Sequence, residues 1–380
     1  MSYFCILNYQ DFRNGSFYNT LVLLCGILIN ITNRIRMTPD IPKETQRIAY
    51  LDILRILATF GVVFLHVSCR EYYSAFISFD WYLAAFNGSL VRWSVPVFVM
   101  ISGALFLNPA KDIPTKDILS RKIPRLLLAY VFWWLVYSVI MSSCSLLFGD
   151  AIGLPFSYEF LMPRFHLWFL PMLMGIYLLI PFLRKFVADE KLLRFALVLW
   201  IVYLTGSFFM VIEIPQITPL FDMNIIVGHT GYFLLGYYLS KVSISTKQLK
   251  IIYLLGIIGF ILTVAGNIIL SIHDGDSNDM FLNTLSIFVV LMAAALFVFI
   301  KEITPEIESK TAKFVAYVRQ DLFGIYLTHA LWLTVLNRAV IRNLCNQAIT
   351  IPLIAIAVFV LSLYTTKLIR KIPFLKKFVE

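Results

Sequence analysis

Apolar residues fall in ten long blocks separated by short polar loops: about 51 to 69, 81 to 107, 126 to 148, 167 to 183, 193 to 213, 223 to 240, 250 to 272, 281 to 300, 322 to 341 and 347 to 366. Within a block, as from Val131 to Tyr137, apolar positions follow one another without the alternation that the strands of a membrane barrel show. The blocks therefore predict helices. A helix needs about 20 apolar residues to cross a ~30 Å hydrocarbon core, and the blocks approach that length. The pattern predicts an all-α fold, a polytopic transmembrane helical bundle of about ten membrane-spanning helices. The largest connections, near 108 to 125, 149 to 166 and 301 to 321, are too short to hold a second folded domain.

The amino-terminal 46 residues do not fit the pattern. Phe17 to Ile31 is a short apolar run containing Asn19 and Asn30, and it lacks the small-residue cleavage site of a signal peptide. It reads as an eleventh span, as an interfacial helix, or as translated sequence upstream of a true start at Met37, with preference for the last. The expected organisation is an extension over 1–46, a membrane domain over 47–370 and a basic cytoplasmic tail over 371–380.

Composition agrees with the blocks: 60% of the 380 residues are hydrophobic and 14% are charged, against about 25% charged in soluble domains. An ordinary cytosolic enzyme is excluded. The net charge of +10 would suggest nucleic acid in a soluble protein, but its distribution gives it another meaning. If the first block starts inside, the inner segments hold twenty-five Lys and Arg and the outer loops only Arg70, Arg164, Arg338 and Arg342. Cytoplasmic loops retain positive charge, so both ends of the ten-helix unit are expected in the cytoplasm. No nucleic-acid partner is expected. The five cysteines, Cys5, Cys25, Cys69, Cys144 and Cys345, have no C-x-x-C spacing, and neither a disulfide framework nor a metal site is expected.

Ionisable side chains within spans are costly and mark candidate sites. The first block carries Asp52, Arg55 and His66. Arg55 and His66 are eleven positions apart, so on a helix both project from one face, about 16 Å apart, with Thr59 near the same stripe. Asp52 and Arg55 are also the right distance apart to pair at i, i+3, and His66 to be a hydrogen-bonded core residue. Counting from Leu51 puts His66 in the outer half of the membrane. Imidazole, with a pKa near 6.5 in water, suits proton transfer from a hydroxyl near neutral pH. The second block supplies Asn87, Arg92 and Ser94; its Pro96, Ser102 and Gly103 point to freed backbone groups and close helix packing.

Ahead of the third block, Arg121, Lys122 and Arg125 form a basic amphipathic lead-in. Arg121 and Arg125 are one helical turn apart and suited to phosphate oxygens; the plain alternative is a positive-inside flank. His166 opens the fourth block either as an interfacial companion of Trp168 or as a second polar group at an acceptor site. Asn224 and His229 read as interfacial. Tyr326 and His329 fall in the inner half of the ninth block, where a helix-to-helix hydrogen bond is the simpler role for His329. His273 lies in the loop "HDGDSND", which lacks the EF-hand spacing and reads as solvated. Phosphate-loop, G-x-S-x-G and H-E-x-x-H motifs are absent, and no His has an Asp at the H-x-x-x-x-D spacing. An ATP-driven pump, a serine hydrolase and a zinc protease have little support.

"RIAYLDILRILATFGVVFLHVS", with Arg55 and His66 separated by ten residues, resembles the first helix of the acyltransferase-3 family of polytopic membrane O-acyltransferases. "RWSVPVFVMISGALF", "FHLWFLPMLMGIYLLIPFLRK", "GYFLLGYYL" and "FGIYLTHALW" are similar to later segments of that family, in the same order. The "HLWFL…YLLIP" form is most similar to the branch that O-acetylates surface polysaccharides, such as the enterobacterial common antigen O-acetyltransferase. The likeness covers about residues 47 to 370.

The resemblance implies a transferase of a bacterial inner membrane that moves an acetyl group from acetyl-CoA to a hydroxyl of a cell-surface polysaccharide or its lipid-linked sugar precursor. Acetyl-CoA is a substrate, and no permanently bound cofactor is implied. By the family's motif Arg55 and His66 carry over as the essential pair, with His66 catalytic. The family's Arg-x-x-Arg pair matches Lys122 and Arg125 in spacing, while the two arginines here are Arg121 and Arg125; all three are carried as acyl-CoA contacts. Asp52, Arg92, Ser94, His166, Tyr326 and His329 remain candidates for the acceptor site or its support. The rival expectation is a transporter or flippase of a glycolipid or polysaccharide precursor, which should show inverted repeats with interrupted helices in both halves; the apolar blocks display none.

Overall fold

A computed structural model describes residues 44–74, 76–108, 114–148, 165–208, 223–304, 309–338 and 346–380. The extension before Glu44, with the Phe17 to Ile31 run, lies outside the described residues. In chain order the longer helices are α1 (Glu44–Ser74), α2 (Phe79–Leu90), α3 (Ser94–Phe106), α4 (Ile123–Phe148), α5 (Phe169–Ala188) and α6 (Glu190–Phe208). They continue as α7 (Met223–Lys241), α8 (Thr246–Asp274), α9 (Ile287–Ile303), α10 (Ser309–Val318), α11 (Leu322–Arg338) and α12 (Gln347–Arg370). A turn at Thr115–Asp117 and a π-helical stretch at Ile118–Lys122 lead into α4, and Pro373–Lys376 forms a last turn. Among the described residues there is no strand.

Each apolar block overlaps at least one helix among the described residues. Among the described residues, seven stretches are long and apolar enough to cross a membrane: Ala49–Cys69, Phe79–Phe106, Thr115–Ile140, Phe169–Ala188, Glu190–Phe208, Thr246–Asp274 and Gln347–Arg370. The other three blocks lie on α7, α9 and α11. Outer faces are apolar rather than charged. On α4, Leu127, Val131, Leu135 and Val139 recur every four residues and are exposed, as are Ile349, Leu353, Ile356, Val360 and Tyr364 along α12. Stripes of this kind are unfavourable against water and natural against lipid.

The second block is not one continuous helix. At Val91–Trp93 the chain turns, and the Ser94 backbone N–H and hydroxyl both return to the Val91 carbonyl, at 3.0 and 2.6 Å. The Arg92 side chain leaves the break to donate from Nε to the Leu282 carbonyl. Pro96 falls in the first turn of α3, where its missing N–H has no intrahelical partner to lose.

Helix pairs approach closely through small residues. A Cβ on Gly103 of α3 would stand 1.8 Å from the Phe233 carbonyl oxygen of α7, and one on Gly236 2.0 Å from the Met100 carbonyl oxygen of α3. The two backbones are in direct contact, which only glycine permits. Around them Tyr50, Leu54, Met100, Ile176, Trp200, Tyr232 and Phe297 belong to the largest apolar cluster.

The last residues are packed. Phe378 and Val379 are buried, Phe378 stacks on Phe132 of α4 at 3.9 Å between centroids, and its carbonyl accepts from Trp133 Nε1 at 3.0 Å. The basic side chains of this stretch, Lys376 and Lys377, are exposed. What reads as a basic tail in the sequence thus contains an apolar anchor as well.

Candidate active site

α1 is unbroken from Glu44 to Ser74, so Arg55 and His66 share a face about 16 Å apart. The fold surrounds them with different partners and makes two sites of one stripe.

Around His66 three separate stretches converge. Its ring stacks on His329 of α11, with centroids 5.4 Å apart and planes 18° from parallel, and meets the edge of Phe165 at 4.7 Å. His329 in turn lies 5.0 Å from His166. His166, with Phe165, belongs to the turn before α5 and is 1% exposed. Its ring also faces Tyr137 of α4 at 5.1 Å and Tyr326 at 5.8 Å. Hydroxyls fasten the stretches together: Tyr326 donates to the His166 main-chain carbonyl, and Tyr137 to the Leu327 carbonyl at 2.6 Å.

One tautomer follows from this geometry. His329 Nδ1 lies 2.5 Å from the Tyr326 carbonyl oxygen, which can only accept, so Nδ1 carries the proton and Nε2 of the neutral ring carries the lone pair. Nε2 has no hydrogen-bond partner among the described residues. His329 is fully buried while His66 is partly exposed, so of this stacked pair His66 is the ring a substrate can reach.

Counting from block ends put His66 in the outer half of the membrane and Tyr326 and His329 in the inner half; the structure corrects this and holds them at one level. The count assumed that every helix starts in the same plane. Instead Arg319, just before α11, sits beside Asp52 of α1, so α11 begins level with a point well inside α1. His166 likewise is no interfacial residue, because its turn enters the bundle.

Other candidates have structural places. Arg92 stands at the break between α2 and α3, with its side chain on the Leu282 carbonyl. Ser94 closes that break and packs against α1, where a Cβ on Gly61 would meet its Oγ at 2.1 Å. His229 Nδ1 donates to the Ile225 carbonyl at 2.8 Å, and its Nε2 is 3.3 Å from the Thr284 hydroxyl. His273 is exposed beside Asp274.

The second site lies at the other end of the Arg55 to His66 stripe. Asp52, 6% exposed, pairs with Arg55 at 3.1 Å and with Arg319 at 3.5 Å. The i, i+3 pair was legible in the sequence, whereas Arg319 was only one of many inner-loop cations. A buried carboxylate requires compensation, and the Arg-Gln-Asp turn before the ninth block was the available signal. Asp321 of that turn, also buried, takes Arg370 at 2.5 Å and Lys367 at 3.0 Å from α12.

Arg121, Lys122 and Arg125 are exposed on the π-helical stretch and the start of α4. Arg121 pairs with Asp117 at 3.5 Å, and Arg125 Nε donates to the Glu380 main-chain oxygen. The two arginines have separate protein partners, and both side chains remain exposed.

Apolar faces turned outward on helices of spanning length, enclosing a buried histidine cluster, define a multi-pass membrane protein with an internal polar site. A family model described as an acyltransferase domain matches residues 48–369, nearly the whole bundle from α1 to α12. The chain belongs to the acyltransferase-3 family and is a membrane acyltransferase. Comparisons with curated proteins and with solved structures match nothing.

Proposed function

We propose that the protein transfers an acetyl group from acetyl-CoA to a hydroxyl of a cell-surface polysaccharide or its lipid-linked sugar precursor, within a bacterial inner membrane that its ten helices cross with both ends in the cytoplasm. The observation that carries this reading is the convergence of His66, His166 and His329 at one level inside an acyltransferase bundle. His66 is the catalytic group. As a general base it takes the proton of the acceptor hydroxyl while that oxygen attacks the thioester carbonyl; a C–O bond forms, the C–S bond breaks, and the proton passes to the departing thiolate. As a nucleophile it carries the acetyl group on a ring nitrogen before the hydroxyl attacks. His329 and His166 back the ring. The inner basic residues Arg55, Arg121, Lys122 and Arg125 draw the polyanionic donor to the cytoplasmic face.

Mass spectrometry of surface glycans and lipid-linked precursors from deletion and His66→Ala strains tests this. Loss of an increment of about 42 Da per site, the replacement of H by COCH₃ at a hydroxyl, is expected in both. An unchanged glycan in the His66→Ala strain would sink the assignment. Acetyl trapped on His66 with acetyl-CoA alone decides for the nucleophile.

One observation favours a second reading, a flippase for the same precursors: the interruption at Val91–Trp93 gives one broken spanning segment of the kind transporters use at binding sites. Lipid-linked sugar crossing reconstituted vesicles with no acyl transfer would establish it.

A further inference from the structure

Asp52 holds more cation than it needs. One buried carboxylate neutralises one guanidinium, yet its two oxygens face both Arg55 and Arg319. The side chain of Asp52 is 8% exposed, that of Arg55 31% and that of Arg319 46%. The triad therefore carries a surplus positive charge that opens outward. Neither guanidinium has another hydrogen-bond or ion-pair partner among the described residues, so most of their N–H groups have no acceptor there.

Arg319 is held there by the fold. Its backbone N–H closes the end of α10 on the Val315 carbonyl at 2.9 Å, and Asp321 two residues on returns to the Val318 carbonyl at 2.9 Å. The Asp321 carboxylate fixes this turn to α12 through Arg370 and Lys367. Two guanidiniums held on one carboxylate suit phosphate oxygens, which guanidinium groups grip in pairs.

The separation of the two sites supplies a second, independent measure. Arg55 lies about 16 Å below His66 along one helix face. The pantetheine arm of coenzyme A runs about thirteen bonds from the diphosphate to sulfur, and an extended chain advances about 3.5 Å for every three bonds, which gives about 15 Å. We propose that Arg55 and Arg319, aligned by Asp52, clamp the diphosphate of the acyl-CoA donor, and that the arm lies along α1 so that the thioester meets His66. This rests on the acyl-CoA reading above and adds to it a residue and a register. Val62, between the two sites, shares an apolar cluster with Tyr130, Trp133 and Tyr326, and the arm parts that cluster along α1.

The test uses the full chain in lipid nanodiscs, wild type and Arg319→Gln, with Arg319→Lys as the variant that keeps the charge and loses the fork. Calorimetric titration with CoA is paired with transfer rates from acetyl-CoA and from S-acetyl-N-acetylcysteamine, a thioester without phosphate. Arg319→Gln is expected to weaken CoA binding about tenfold or more and to cut the preference for acetyl-CoA over the phosphate-free thioester by a similar factor. Arg319→Lys falls between. Wild-type CoA affinity and wild-type donor preference in both variants would overturn the clamp while leaving the acyl-CoA reading intact. A wild-type protein that binds no CoA would overturn both.

Discussion

His329 shows how one hydrogen bond can set the chemistry of a neighbour. Its Nδ1–H is committed to the Tyr326 carbonyl at 2.5 Å, so the ring is held in one tautomer and stacked 5.4 Å from His66. Both proposed roles of His66 pass through a cationic imidazole, by proton uptake or by acylation. A neutral ring stacked on it tolerates that charge. A permanent cation at the same distance opposes it by about 3 kcal/mol at an effective dielectric constant near 20, or about a hundredfold in rate. His329→Lys should therefore lose about a hundredfold in acetyl transfer, and His329→Phe, which keeps the stack, less than about tenfold. Initial rates of both purified variants check this, and equal losses would remove the electrostatic role.

At the scale of elements, two glycines separate packing from backbone conformation. Gly103 allows α3 to touch the α7 backbone at Phe233, where no rotamer change can make room for a side chain. Gly275 ends α8 in the left-handed region at φ 74°, with nothing within 4 Å of an added Cβ. Gly103→Ala should cost about 3 kcal/mol, the upper part of the range for overpacking, and Gly275→Ala about 1 kcal/mol from backbone strain alone. Thermal unfolding in detergent micelles gives the order; a larger drop for Gly275→Ala would contradict it. The break between α2 and α3 is the other element-scale event. Ser94 and Arg92 satisfy groups around it.

At the scale of the whole molecule, the positive-inside pattern predicts which loops face the cytoplasm. Lys247, at the start of α8, lies on the side of the inner cations, and Asp276, just after α8, on the opposite side. Single cysteines at these positions should respond differently to a membrane-impermeant thiol reagent on intact cells: Asp276→Cys labelled, Lys247→Cys labelled only after permeabilisation. The reverse result would invert the bundle.

The helices, their approximate ends and the Asp52, Arg55 and His66 pattern were legible in the sequence because they depend on local quantities: the apolar length needed to cross lipid, the 100° step of a helix and the cost of a charge inside it. The membrane class was legible for the same reason, and the acyltransferase family through the resemblance of five segments in order. Which side chains meet was not. His166 and His329 lie far apart in the chain and come to His66 only because a turn enters the bundle and the turn before α11 sits beside Asp52 of α1. Arg319 looked like any inner-loop cation until the turn after α10 set it against Asp52. Hydrophobic patterning fixes each helix against lipid, but the relative depth of two helices depends on backbone contacts such as Gly103 on Phe233 and on buried charges that find partners, and those exist only once the chain is folded.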